Sequence, residues 1–159
     1  MLFATANGFR SSLKAKVRHS LHVLPMGAWG YYNFDNDMAA DFAGNFKANP
    51  QAETLRVAFD AVAEEEYLDA DVAKEALAAA EIVAAVLGKP GRDFPADLFL
   101  VIPRFEISSI EPLRKPAQHA VAAVLREESE LRQLWVEGDD FGSWQKVQHD
   151  LLHRLEEPA

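Results

Sequence analysis

Asp69 to Leu87 reads DADVAKEALAAAEIVAAVL. Asp69 or Asp71 is a good N-cap for a helix running through Leu87, and Gly88 and Pro90 stop it. Ala76, Leu77, Ala80, Ile82, Val83, Ala84, Val86 and Leu87 leave that helix little polar face, which places it at the centre of the molecule. Its alanines let neighbouring helices approach closely, as the middle of a small bundle requires.

The flanking sequence keeps the same helical period. Upstream, Asp35 or Asn36 caps a helix whose inward face is Met38, Ala39, Phe42, Ala43 and Phe46. Asn49 followed by Pro50 predicts a second cap, opening a helix with Leu55, Ala58, Phe59 and Val62 facing inward. Downstream, Pro112 and Pro116 bracket the start of a helix carrying Ala120, Val121, Val124 and Leu125. Ser129 caps a short helix with Leu131, Leu134 and Trp135 on one side, closed by Gly138. Ser143 is expected to cap the last helix, striped by Trp144, Val147, Leu151 and Leu155, with Glu156 and Glu157 placed where the helix dipole favours fraying. Residues 94–116 are irregular in pattern: Leu98 to Ile102 is an apolar run that reads as a short helix or as a buried strand, ended by Pro103. The expected fold is all-α, a single compact bundle of about five to seven helices spanning residues 26–157.

Composition narrows the function classes. The chain has 159 residues, enough for one core, and 49% hydrophobic residues exclude global disorder. No apolar run approaches the roughly 18 residues of a membrane span, and cytoplasmic residence is the expectation. The absence of cysteine removes disulfides, thiolate catalysis and cysteine-bearing zinc sites. Charge is uneven: residues 1–25 carry Arg10, Lys14, Lys16 and Arg18 with no acid, whereas the remainder holds 12 basic and 25 acidic residues. Residues 1–25 therefore read as a disordered basic leader or as an upstream start, with Met26 the natural first residue preferred. An acidic body repels phosphate backbones, so nucleic acid is not an expected partner and a basic protein is.

Met26 to Phe46 reads MGAWGYYNFDNDMAADFAGNF, and its opening resembles the bacterial domain-of-unknown-function family 4259, in which Met-Gly-x-Trp-Gly precedes Phe-x-Asn-Asp-x-Ala-x-Asp and an aromatic residue. The alanine-rich 72–87 helix and the run of Ser129, Glu130, Leu131, Leu134 and Trp135 are similar to the same family. The resemblance extends from Met26 to about Leu155 and departs between Phe99 and Lys115, where prolines and a β-branched run interrupt the helical pattern. It implies a small soluble bacterial protein and supplies no mechanism.

Candidate chemistry starts in that motif. With Asn36 as cap, Asp37, Asp41 and Asn45 form a polar row opposite Met38 and Phe42. Asp37 and Asp41 repel at i, i+4 spacing, so a cation or an arginine from another helix is one way to offset them. The simpler reading leaves Asp37 on the helix dipole and Asp41 in water. Trp29, between Gly27 and Gly30, is expected to pack over the bundle as a lid, the alternative being an exposed binding anchor. His149 and His153 have helical metal-pair spacing but no third ligand, so neither they nor His119 is assigned to a metal. Glu64 to Glu66 with Asp69 and Asp71 form an acidic corner. No catalytic residue and no cofactor is expected. The leading functional expectation is a non-enzymatic protein-binding module with Trp29, Asn36, Asp37 and Asp41 as its site, of which an inhibitor or immunity-type protein is one version. Alternatives are a metal-assisted hydrolase built on Asp37 and Asp41, and a structural homodimer.

Overall fold

The computed structural model describes residues 27–158, so the readings of residues 1–25 and of Met26 as the first residue lie outside the described residues. Among the described residues seven α-helices form a bundle: α1 (Asp37–Ala48), α2 (Ala52–Ala63), α3 (Ala70–Val86), α4 (Ile107–Ile110), α5 (Arg114–Val124), α6 (Glu130–Val136) and α7 (Phe141–Arg154). The only β-type pairings among the described residues are two isolated bridges, Ala28 with Asn36 and Leu68 with Ser129.

α3 is the central helix. It packs on α1, α2, α5, α6 and α7, and from Ala76 to Val86 every residue is buried. Alanines at 78, 79 and 80 have no exposed surface, so neighbouring backbones come close where a longer side chain would hold them apart. Asp69 caps its start, accepting from the N–H groups of Asp71 and Val72. Its end is a Schellman turn: Gly88 N–H donates to Ala85 O and Lys89 N–H to Ala84 O. Gly88 takes φ of 94°, a conformation costly for any residue with a Cβ.

The expected inward faces of α1, α2, α5 and α6 are largely buried, with Met38, Leu125 and Leu134 half-buried at the edges. Two caps differ. Asn49 closes α1 instead of opening α2, whose N-cap is Gln51. Pro50 forces the preceding residue out of the helical region, so Asn49 ends one helix and the next begins beyond the proline. Ser143 lies in the first turn of α7, while Asp140 is the N-cap residue without a side-chain capping bond. Glu156 and Glu157 fall beyond α7, and the end expected to fray is tied down: Arg114 donates to Leu155 O and Glu156 O, and Gln118 to Leu155 O.

Residues 94–116 form short helical turns: 3-10 segments at Ala96–Leu100, Ile102–Arg104 and Glu111–Leu113 enclose α4. The strand reading of 98–102 fails because only Leu98 and Val101, three apart, are buried. That is the period of a 3-10 helix, and Pro95 and Pro103 withhold the donors a ladder needs. Leu100 and Ile107 are left 70% and 59% exposed.

Candidate functional site

The motif before α1 is a closed loop. Trp29 N–H donates to Asp35 O at 2.9 Å, and Asp37 N–H donates to Gly27 O at 3.1 Å. Asp35 N–H donates to Tyr32 O, and the Asp35 carboxylate accepts from Tyr32 N–H. A side chain at Gly30 would collide with that carboxylate, which accounts for the glycine. Asn36 is buried and caps α1, its Oδ1 accepting from Ala39 N–H at 2.8 Å. Asp37 and Asp41 are exposed one turn apart on α1. Trp29 is 58% exposed, which corrects the expected packed lid. The place over the bundle is filled by Phe34, edge-on to Phe94 at 5.8 Å, so the loop's own hydrogen bonds hold the indole outward.

On the other side of the same loop lies a polar cluster centred on α3. Glu81, with a side chain 1% exposed, is held by Arg154 of α7: Nη1 donates to Oε1 at 2.9 Å and Nη2 to Oε2 at 3.1 Å. Asn33 donates to Glu81 Oε2 at 2.8 Å and exchanges two hydrogen bonds with buried Gln148. Arg154 also donates to Asp150 at 2.7 Å and to Lys89 O. Loop, central helix and last helix are thus joined through one satisfied carboxylate. Gly91 lies against this pair: a Cβ there would stand 2.8 Å from Glu81 Oε1.

Glu81, Asp150 and Arg154 line a cleft of about 470 Å³ between Tyr31 and Tyr32, the Pro90–Asp93 turn and one face of α7. Tyr31 and Tyr32 have ring centroids 5.0 Å apart, and the Arg92 guanidinium stands 5.6 Å over Tyr32. Asp93 Oδ2 accepts from Phe34 N–H at 3.0 Å. Burial pushes the Asp93 carboxyl up to about 6; Phe34 N–H pulls it down, while Glu81 and Asp35 add repulsion that raises it.

A family model described as Domain of unknown function (DUF4259) matches residues 27–147, about three quarters of the chain. The chain belongs to the DUF4259 family. No curated protein and no solved structure matches it. The DUF4259 segment contains the motif loop, Glu81, Asp93 and Lys146, whereas Gln148, Asp150 and Arg154 come after its end.

Of the four sequence-derived candidates in this DUF4259 protein, the fold sets Asn36 in a capping role and leaves Trp29, Asp37 and Asp41 at the surface. Among the described residues no group of three or more His, Cys, Asp or Glu side chains is placed to hold a metal. His149 and His153 are exposed, His153 facing Glu156 at 3.3 Å. His119 is exposed beside a groove between α2 and α5. The acidic corner serves local structure: Glu65 accepts from Asp69 N–H, and Asp69 caps α3. Sequence reasoning missed the Glu81 cluster. Its signal was a lone carboxylate inside AAAEIVAAV, a place where an unpaired charge is not tolerated.

Proposed function

We propose that this protein is a non-enzymatic binding module that uses Trp29, with the neighbouring carboxylates of Asp37 and Asp41, to hold a basic partner protein. One observation carries the reading: a large aromatic side chain, 58% exposed, stands on a loop already fixed by its own backbone hydrogen bonds. An anchor ordered before binding loses little conformational entropy on association. Tryptophan is a favoured interface anchor, and nearby carboxylates on a chain of net charge −9 would steer a cationic surface toward it. An inhibitor or immunity-type role is the version in which the partner is a basic toxin.

The test is affinity capture with the full chain and its Trp29→Ala and Asp37→Asn/Asp41→Asn variants, then titration of the identified partner at several salt concentrations. The expected partner is basic. It loses affinity about 30-fold or more in Trp29→Ala, the loss of an anchor residue, and binds the wild type more weakly as salt rises. A partner held equally well by both variants would refute this surface. A second reading, self-association, is favoured by the exposure of Leu100 and Ile107. Sedimentation velocity over a concentration series tests it, with Leu100→Lys expected to suppress any rise in mass.

A further inference from the structure

The cleft beneath Tyr31 and Tyr32 is separate from the Trp29 surface, and its charges are unevenly committed. Glu81 is bonded by Arg154 and Asn33, and Asp150 is bonded by Arg154 Nε. Asp93, the third carboxylate of the cleft, accepts from Phe34 N–H. Two cations remain. Arg92 on the turn and Lys146 on α7 are exposed, line the cleft from two different elements, and have no ion pair among the described residues.

What sets these two apart is that both line the same cleft of a chain with 25 acidic and 16 basic residues. Lys146 has Asp150 one turn away on its own helix, yet that carboxylate is taken by Arg154 at 2.7 Å. Arg92 lies over Tyr32, which orients its guanidinium plane and leaves its edge hydrogens to donate. Glu81, which lines the cleft, is held in place from behind by the buried and cross-bonded Asn33 and Gln148. At about 470 Å³ the space lies within the usual range of small-molecule sites, roughly 300–1,000 Å³.

We propose that this cleft binds a small organic anion with a planar body, its carboxylate or phosphate group held between Arg92 and Lys146 and its ring against Tyr31 and Tyr32. The site is independent of the protein-binding surface, and the two readings can fail separately.

The experiment is an amide-resolved NMR titration of the full chain with benzoate and phenyl phosphate, using benzylamine as a probe of similar shape and opposite charge. At least one anion should shift the amides of Tyr31, Tyr32, Gly91, Arg92 and Lys146 saturably, with Kd of about 1 mM or tighter. The tighter of the two names the anionic group. Lys146→Gln and Arg92→Gln, both at exposed positions, should each weaken it about tenfold, as loss of a charge-assisted hydrogen bond does. Trp29→Ala should leave it unchanged. The proposal is overturned if neither anion gives saturable shifts, if benzylamine binds as well, if the shifts map away from the cleft, or if both cation variants retain full affinity.

Discussion

At Glu81 a carboxylate sits where water does not reach, and its charge is tolerable only because Arg154 supplies two hydrogen bonds and Asn33 a third. Replacing one member of such a pair leaves the other uncompensated, a loss of about 3–5 kcal/mol. Arg154→Met is therefore expected to lower the urea midpoint sharply, and Glu81→Gln added to it should recover much of the loss; two simply additive losses would argue against coupling. Asp93 gives a pH signature of the opposite sense to a salt-bridged acid. Its folded pKa of about 6 lies above the ordinary aspartate value of 3.8, so the folded state holds the proton more tightly. The resulting stabilisation is fully present below about pH 4 and is lost as pH rises through about 6. Asp93→Asn, whose amide oxygen still accepts from Phe34 N–H, should be more stable than wild type at pH 8 by about 1 kcal/mol once solvent screening is allowed for. Thermal melts at pH 5 and pH 8 measure this, and an equal difference at both pH values would contradict it.

Among the elements, α3 tolerates change least. Ala79 has no exposed surface and faces packed neighbours, so Ala79→Leu should cost about 1–3 kcal/mol or more through overpacking. Gly88→Ala places a Cβ at φ of 94° with open space around it, so its cost, about 1–2 kcal/mol, comes from backbone conformation alone. Comparing the two by denaturation separates packing strain from backbone strain. Ser129 is legible as a cap and proves to be one, its Oγ accepting from Arg132 N–H at 3.3 Å. Ser143 was equally plausible by residue type. The N-cap of α7 is Asp140, three residues earlier, and no local rule distinguishes a serine at the cap from one in the first turn. Asn49 failed for a related reason: an Asn-Pro pair marks a boundary without saying which helix the asparagine belongs to.

For the whole molecule, a net charge of −9 and a sequence pI near 5.0 predict that solubility is lowest around pH 5. Turbidity measured across pH at low salt checks that expectation. The sequence alone established the all-helical bundle, because recurrence of apolar residues every three to four positions dictates helices and an alanine-rich helix without a polar face has to be central. It also supplied the family and the cap at Ser129, and it narrowed two other caps to Asp35 or Asn36 and to Asp69 or Asp71, between which the fold uses Asn36 and Asp69. Only the tertiary structure decided that Trp29 faces outward, and that Asn33, Glu81, Gln148 and Arg154 meet beneath a cleft edged by Arg92 and Lys146. Those residues are as many as 121 positions apart in the chain, from Asn33 to Arg154. Periodicity reports which side of a helix is buried, but the partner met there is fixed by how helices pack, and a buried carboxylate becomes intelligible only once its arginine is in place.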